Sequence, residues 1–333
     1  MKAKSLLSFI IATLLFAACQ PADKAISASG FYFDTIIKVT IYDDTRQDAL
    51  DGCLALAEQF ESCFSDTLPD SDVSEINSHP YEPVKVHPET AELIIKALSY
   101  GESSSGRFDI TIGRLSDLWD FTEAKDIPAL PDPDKIDKAL SHVDYRNVTV
   151  DGDTVTLKDD GCAIDLGGIA KGYIADKMKE YLINEGIDSA LINLGGNVLA
   201  IGERPGKGTY TIGIQKPFSD DGSPIASVDI TDMSVVTSGT YQRYFTFDGK
   251  QYHHILDPST GYPCENGLSS VTIITGSSTD ADALSTTVFL MGAKEGLAYV
   301  ESLDDTEAIF VTTDNELIHT SGIGKGIPFK EYP

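Results

Sequence analysis

The chain has 333 residues, and 25 Lys and Arg stand against 52 Asp and Glu, which gives a formal net charge of −27. Such an acidic chain is a poor partner for nucleic acid, because phosphate contacts need clustered basic side chains. A hydrophobic fraction of 41% is too high for a disordered acidic chain, and the length suggests about two domains or one large one.

The first eighteen residues have the pattern of an export signal. Two lysines precede an apolar run at 6–18, and this run is too short to span a bilayer as a helix. The sequence Leu-Phe-Ala-Ala before Cys19 resembles a bacterial lipobox, so we expect Cys19 to be lipidated. Ordinary cleavage after Ala18, which leaves a free thiol, is the alternative. The predicted organisation is a signal peptide at 1–18, a lipidated tether at 19–29 and a folded domain at 30–333.

Hydrophobic periodicity predicts a mixture of helices and strands in the rest of the chain. Partly alternating β-branched residues predict a strand at 31–42, and apolar residues at three- and four-residue steps predict an amphipathic helix at 46–64. Further predicted helices lie at 88–103, 135–143, 169–185, 280–291 and 294–302. Further predicted strands lie within 147–164, across most of 189–275, at 308–312 and at 317–320. Because helices and strands do not alternate strictly, the predicted fold class is α+β in a single large domain.

The four remaining cysteines are expected to be free thiols. Cys53 and Cys63 lie ten residues apart in one predicted helix, about 15 Å, which is beyond the reach of a disulfide. The sequence does not decide whether Cys162 and Cys264 pair. It contains no Cys-X-X-Cys motif and no zinc-like spacing.

The segment 165–172, Asp-Leu-Gly-Gly-Ile-Ala-Lys-Gly, lies at a predicted strand-to-helix junction. Its two adjacent glycines let a ligand approach the backbone, and the free amides at a helix start attract anions. Lys171 could reach a phosphate, and Asp165 could accept a hydrogen bond from a sugar or a ring. A tight turn with a capping Asp165 and a solvated Lys171 explains these residues equally well.

A predicted helix carries Asp282 and Thr286 one turn apart on one face. A carboxylate and a hydroxyl so placed are hard oxygen ligands for Mg²⁺, with coordination sites left for water and a substrate phosphate. Ser278 or Thr279 is predicted to cap this helix. In the alternative, which the segment alone favours, the acidic residues complement the helix dipole and Thr286 bonds back to a carbonyl group.

Two further segments offer catalytic or ring-binding side chains. His253 and His254 are neighbours on a predicted strand, so at most one of them enters a given pocket. One histidine could act as a general base with Asp257 nearby, and a packed histidine beside a turn-stabilising Asp257 is the alternative. In the other segment, Arg107 could pair with phosphate and Phe108 could stack on an aromatic ring.

Five segments, in their order along the chain, resemble the ApbE family of FAD:protein FMN transferases, which are exported flavin-processing lipoproteins of bacteria. They are Gly-Arg-Phe-Asp-Ile-Thr-Ile-Gly (106–113), Asp-Leu-Gly-Gly-Ile-Ala-Lys-Gly-Tyr (165–173), Asn-Leu-Gly-Gly-Asn (193–197), His-His-Ile-Leu-Asp-Pro-Ser-Thr-Gly (253–261) and Asp-Ala-Leu-Ser-Thr (282–286). The resemblance covers about 31–320 and implies a T-fold-like α+β fold that binds FAD in a cleft.

The resemblance also implies the residues of the site. Mg²⁺ would be bound by Asp282, Thr286 and the backbone carbonyl of Gly168. The residues expected to contact FAD are Phe33, Thr67, Arg107, Phe108, Asp109, Asp165, Lys171 and Ile255. FMN would pass to a Thr or Ser hydroxyl of a flavin-bearing subunit of a membrane redox complex, and AMP would leave. We assign His254 as the base that accepts the hydroxyl proton.

Two segments depart from the family pattern. The sequence Phe-Asp-Thr at 33–35 stands where the family has Met-Gly-Thr, and Ser-Asp-Thr at 65–67 stands where it often has Ser-Thr-Tyr. Without that aromatic lid, water could compete better with a protein hydroxyl, so hydrolysis of FAD to FMN and AMP is the alternative function. A non-catalytic flavin carrier and a structural surface lipoprotein are the other hypotheses. The expected location is the periplasmic face of a bacterial inner membrane, through the lipid on Cys19.

Overall fold

The structure is a computed structural model. It describes residues 24–43, 45–121, 129–219 and 221–333. The expected signal peptide and the expected lipidation site, Cys19, lie outside the described residues. Within those ranges no helix combines the length and the apolar character that crossing a membrane requires.

The described residues form seven α-helices. They are α1 (Gln47–Phe64), α2 (Asp72–Ser78), α3 (Pro88–Ser103), α4 (Gly113–Trp119), α5 (Pro133–Leu140), α6 (Ala170–Asn184) and α7 (Ser278–Val300). The predicted helices at 46–64, 88–103 and 169–185 are confirmed to within a residue at each end. The two helices predicted at 280–291 and 294–302 are the two parts of α7, because Gly292 has a non-helical backbone (φ 75°, ψ 169°) that kinks it.

The described residues also form sixteen strands. They are β1 (Ile26–Tyr32), β2 (Thr35–Ile41), β3 (Val84–Lys85), β4 (Val148–Asp151), β5 (Thr154–Leu157), β6 (Ala190–Leu194), β7 (Asn197–Ile201), β8 (Tyr210–Gln215), β9 (Pro224–Ile230), β10 (Ser234–Gly239), β11 (Tyr244–Phe247), β12 (Lys250–His253), β13 (Leu268–Thr275), β14 (Glu307–Thr312), β15 (Leu317–His319) and β16 (Phe329–Glu331).

Eight strands build the main antiparallel sheet in the order β1-β2-β6-β7-β10-β13-β14-β15. Two three-stranded sheets, β16-β9-β8 and β3-β5-β4, and the hairpin β11-β12 complete the strands. The α+β class in a single large domain is therefore confirmed.

The strand predicted at 31–42 is a hairpin rather than one strand. Phe33 and Asp34 both lie in the left-handed region, with φ of 52° and 55°, so the chain reverses there without a glycine. β1 and β2 then pair in register from Ile26 opposite Ile41 to Tyr32 opposite Thr35. β1 begins inside the segment 19–29 that was expected to be a tether, so the last four residues of that segment belong to the folded sheet.

The main sheet buries its two faces against different partners. Strands β2 and β6 pack one face against α1 and α6. Further along the same face, Val236 and Phe310 belong to a core that includes α7. Their sequence neighbours Val235 and Ile309 point the other way and pack with the sheet of β8 and β9. This arrangement places α6 and α7 side by side on one face, where the predicted functional residues lie.

The cysteine prediction is also confirmed. Cys53, Cys63, Cys162 and Cys264 are all buried and unpaired. Burial raises the pKa of each thiol, to about 12 for Cys53 and Cys162 and to about 11 for Cys63 and Cys264. At neutral pH and without a bound metal, these four thiols are therefore protonated.

Candidate functional site

A cleft of about 770 Å³ lies beside α6 and α7. All twelve side chains and backbone positions named from the sequence line this cleft, although they are spread over more than 250 residues of chain. They are Phe33, Thr67, Arg107, Phe108, Asp109, Asp165, Gly168, Lys171, His254, Ile255, Asp282 and Thr286. The structure thus gathers in one place residues from four of the five motifs and from the two segments that depart from the family pattern.

Asp282 is the most deeply buried acidic group among the described residues of the cleft, with only 4% of its surface exposed. One carboxylate oxygen accepts a hydrogen bond from the Gly172 N–H at 2.9 Å, and the other faces the Lys171 ammonium at 3.8 Å. Burial raises the pKa of Asp282, and the nearby charge of Lys171 partly opposes that shift. Lys171 also donates to the carbonyl oxygen of Gly167 at 3.0 Å, so its ammonium group is held at the cleft wall.

The close packing of α6 and α7 places Asp282 beside Lys171. A side chain at position 172 would put its Cβ only 2.2 Å from the carbonyl oxygen of Ser278, so only glycine allows this approach. Asp176 of α6 in turn accepts hydrogen bonds from the backbone N–H groups of Ser278 and Thr279, at 2.9 and 2.8 Å. The predicted cap is wrong by one residue, because Ser277 occupies the N-cap and its hydroxyl accepts from the Asp280 N–H.

Thr286 and the Gly168 loop lie close together in the lining of the cleft. The Thr286 hydroxyl is 3.1 Å from the hydroxyl of Ser238 on β10, which also bonds Ser285 at 2.7 Å. A Cβ built on Gly168 would lie 3.9 Å from the Thr286 oxygen, so the backbone of the Gly168 loop comes close to that hydroxyl. The Thr286 hydroxyl thus contacts Ser238 across the site, whereas the alternative from the sequence had it bonding back to a carbonyl.

His254 lines the cleft, and its neighbour His253 faces the core. The His254 Nδ1 atom is 3.2 Å from the carbonyl oxygen of Arg243, which also accepts the His254 backbone N–H. A carbonyl can only accept, so this contact assigns the ring proton to Nδ1 and leaves a lone pair on Nε2. Burial and the charge of Arg243 lower the pKa of His254 to about 3, so the ring is neutral at pH 7.

His253 and Asp257 have structural partners. His253 is 7% exposed, its Nε2 lies 3.1 Å from the Cys264 carbonyl oxygen, and its ring meets Phe289 edge to face. Asp257 accepts hydrogen bonds from the Ser259 backbone N–H at 2.8 Å and from its hydroxyl at 2.6 Å. These contacts agree with the alternative interpretation from the sequence, in which Asp257 stabilises a turn.

The segment of Arg107, Phe108 and Asp109 forms one wall of the cleft. Arg107 makes an ion pair with Glu295 of α7 at 3.0 Å. Phe108 is 5% exposed, and a Cβ on Gly168 would lie 3.2 Å from its ring, so the ring supports the glycine loop. Both carboxylate oxygens of Asp109 accept hydrogen bonds from neighbouring residues, which fixes the shape of this wall.

Part of the cleft lining is acidic. Asp165 accepts hydrogen bonds from the Gly167 N–H and from the Ser116 hydroxyl, both at 2.8 Å. Asp66 also lines the cleft, and partial desolvation there, together with the charges of Asp165 and Asp117, raises its pKa to about 6. Carboxylates here can accept from hydroxyl or ring N–H groups of a ligand, while Lys171 can bind an anionic part.

Several cleft residues could not be identified from the sequence. Ser238 contacts Thr286 only once α7 packs on β10, and Arg243 contacts His254 across the hairpin of β11 and β12. Neither residue stands in a recognisable motif. Asn197 ends one of the five motifs but had no assigned role. It is 2% exposed and its Oδ1 accepts from the Ser278 hydroxyl, whereas its Nδ2 has no acceptor among the described residues.

Comparison with known proteins identifies the family. The model of the ApbE family matches residues 33–310. A FAD:protein FMN transferase of Treponema pallidum (strain Nichols) is 36% identical over 317 residues, which cover 89% of this chain and 87% of the relative. Another protein with that name, from Klebsiella pneumoniae (strain 342), is 40% identical over 269 residues, which cover 80% and 83%.

Solved structures agree with this result. The crystal structure of the ApbE protein from Thermotoga maritima superposes with a TM-score of 0.82 at 35% identity, covering 89% of this chain and 97% of that one. The flavin transferase ApbE from Vibrio cholerae superposes with a TM-score of 0.79 at 27% identity and the same coverage. The expected ApbE fold is thereby confirmed. The chain therefore belongs to the ApbE family and is, like these relatives, a transferase.

Proposed function

We propose that the protein is a Mg²⁺-dependent FAD:protein FMN transferase. It splits the pyrophosphate of FAD, attaches FMN through a phosphoester to a Thr or Ser of a flavin-accepting subunit of a membrane redox complex, and releases AMP. The observation that carries the proposal is the convergence of twelve sequence-assigned residues on one cleft. The names of the relatives from Treponema pallidum and Klebsiella pneumoniae support the same activity.

The donor set of the cleft fits a magnesium ion. Asp282, Thr286 and the carbonyl of Gly168 supply a carboxylate, a hydroxyl and a carbonyl oxygen, which are the ligand types that Mg²⁺ takes. The Asp282 carboxylate is buried, and the Lys171 ammonium at 3.8 Å is too distant for a strong hydrogen bond, so the site favours a further cation. Bound there, Mg²⁺ would neutralise negative charge on the diphosphate of FAD.

The remaining residues bind FAD and handle the proton. Lys171 offers an ammonium to the diphosphate, and the Asp165 carboxylate accepts from ribose or ring groups. The lone pair on His254 Nε2 takes the proton of the acceptor hydroxyl as its oxygen bonds to the FMN phosphorus. The bond from that phosphorus to the bridging oxygen breaks, and AMP leaves with the electron pair. The contact of His254 with the Arg243 carbonyl keeps the ring in this orientation.

Hydrolysis of FAD to FMN and AMP is the second candidate. Thr67 lines the cleft and is exposed, and no aromatic ring stands at its position. Water could therefore reach the phosphorus in place of a protein hydroxyl. Phe33 and Phe121 also line the cleft, so aromatic cover is available from other elements and transfer remains the first candidate.

One assay separates the candidates. The purified protein is incubated with FAD and Mg²⁺, with and without a Thr-containing acceptor peptide. AMP together with a flavin-labelled peptide supports transfer, AMP with free FMN supports hydrolysis, and intact bound FAD supports a carrier. A protein that binds no FAD would fit only the structural lipoprotein.

The metal assignment has a matched pair of variants. We predict that Asp282→Ala abolishes AMP release, because the buried carboxylate is lost from the donor set. Asp280→Ala should keep AMP release, since Asp280 binds Tyr100 and Lys96 and does not line the cleft. Unchanged turnover in Asp282→Ala would exclude this metal site.

We also expect His254→Ala to impair transfer more than FAD binding.

We further propose that the protein is exported and anchored at the periplasmic face of the inner membrane by a lipid on Cys19. The lipobox-like sequence before Cys19 supports this proposal. Mass spectrometry of the membrane fraction should find an acylated N-terminal Cys19, and Cys19→Ser should release the protein into the soluble fraction. A Cys19→Ser protein that stays with the membrane would contradict the proposal.

A further inference from the structure

Three side chains that commonly bind metals meet at a place separate from the donor set of Asp282. Cys63 lies in the last turn of α1, Asp72 is the first residue of α2, and His87 directly precedes α3. Their ligand atoms, a thiol sulfur, a carboxylate oxygen and an imidazole nitrogen, all lie within 4.8 Å of one another. Because the three residues are far apart in the sequence, they do not form a recognisable metal-binding motif.

Two of the three side chains, Cys63 and Asp72, are shielded from solvent, whereas His87 is exposed. Cys63 is 2% exposed, and the side chain of Asp72 is 12% exposed. The His87 Nδ1 atom is 2.9 Å from Asp72 Oδ2 and 3.1 Å from Oδ1, while the His87 side chain is 61% exposed. An ion could therefore enter past His87 and displace the proton shared between His87 and Asp72.

We propose that Cys63, Asp72 and His87 form a Zn²⁺ site. Sulfur, nitrogen and carboxylate oxygen together are the ligand set of zinc, whereas Mg²⁺ takes oxygen ligands. Tetrahedral zinc holds such ligand atoms about 3.3–3.6 Å apart. Here the His87 Nδ1 and Asp72 Oδ2 atoms are 2.9 Å apart, and all three ligand atoms lie within 4.8 Å of one another, so small side-chain movements complete the site. The fourth position would be taken by water.

Zinc at this position would act on the cleft through a loop. Cys63 and Asp72 stand at the two ends of the segment 64–71, which carries Asp66 and Thr67 into the cleft. An ion held by both residues would cross-link the ends of this segment and restrict its movement. The bound ion would therefore fix the position of one cleft wall. The existence of the site does not depend on the proposed function.

Cobalt(II) is a suitable probe because its bond to a thiolate absorbs in the near ultraviolet, whereas oxygen-only sites give no such band. The full chain is used with Cys19→Ser, so that the cysteine outside the described residues cannot contribute. We expect one equivalent of Co²⁺ to give a thiolate band that Zn²⁺ removes and excess Mg²⁺ does not. A wild-type cluster that gives no thiolate band would overturn the proposal.

Matched variants assign the band. Cys63→Ser should lose it, and Cys264→Ser, which removes another buried free thiol, should keep it. His87→Ala alters an exposed side chain, so the protein should still fold, and its cobalt affinity should fall at least about tenfold. Asp282→Ala should keep the band even though the magnesium assignment predicts loss of AMP release. A band that survives in Cys63→Ser, or an unchanged affinity in His87→Ala, would refute the site.

Discussion

The contact between α6 and α7 at Gly172 gives a stringent test of how the site is built. In Gly172→Ala, the new methyl group would lie 2.2 Å from the carbonyl oxygen of Ser278 and 2.8 Å from the Cβ atom of Asp282. Neither obstacle is a flexible side-chain tip, because the first is backbone and the second is fixed in α7. The two helices must therefore move apart, and the hydrogen bond from the residue 172 N–H to Asp282 must lengthen.

The expected magnitude follows from two opposing effects. Inserting a methyl group into a packed contact costs up to about 3 kcal/mol, and the backbone obstacle places this case at the upper end. Alanine is favoured over glycine within a helix by about 1 kcal/mol. The free energy of unfolding should therefore fall by about 2 kcal/mol, a factor of about 30 in the ratio of folded to unfolded protein.

Urea unfolding measures this change, and AMP release at varied Mg²⁺ concentration measures its effect on the site. Gly52→Ala is the matched control, because Gly52 also lies in a helix and its new methyl would meet the hydroxyl and ring edge of Tyr181, a side chain that can turn aside, rather than backbone. The control should lie within about 1 kcal/mol of the wild type. A Gly172→Ala protein as stable and as active as the wild type would show that the close approach of the helices is unimportant.

Two further predictions concern the same site. Asp176→Ala should lower the free energy of unfolding by about 1.5–3 kcal/mol, because its carboxylate accepts the first backbone N–H groups of α7; Asp176→Asn keeps one acceptor oxygen and should lose less in the same urea experiment. His254 has a pKa lowered to about 3, so its ring should stay neutral from pH 8 to pH 5 in an NMR titration of the protein without FAD, and an inflection near 6.5 would contradict the burial argument. Because this pKa is lowered on folding, His254 should make the protein less stable as the pH falls below about 6.5.

Long periodic segments could be predicted from the sequence, and short ones could not. α1 and α3 each repeat their apolar face over several turns, so their ends were predicted to within a residue. α2 and α4 have seven residues each, too few turns for a periodic signal. The hairpin of β1 and β2 was missed because its turn uses Phe33 and Asp34 in a conformation that normally marks glycine or asparagine.

The site shows the same division between local and non-local information. Asp282 and Thr286 could be paired from their spacing because both stand on one helix. Ser238 reaches Thr286 because α7 packs on β10, two elements far apart in the sequence. Arg243 reaches His254 across the hairpin of β11 and β12, as a continuation of the pairing of Tyr244 with His253. Contacts created by sheet topology leave no trace in local periodicity.

The bend at Gly292 divides α7 into two parts that contact different residues of the cleft. Asn266 donates to the carbonyl oxygen of Phe289 at 2.5 Å, so the backbone oxygen beside the bend has a partner. Glu295, which follows the bend, makes an ion pair with Arg107 of the cleft wall. Asp282 lies in the part of α7 before the bend. A different angle of the bend would thus reshape the mouth of the cleft beside Arg107, while the spacing of Asp282 and Thr286, which both lie before the bend, would stay unchanged.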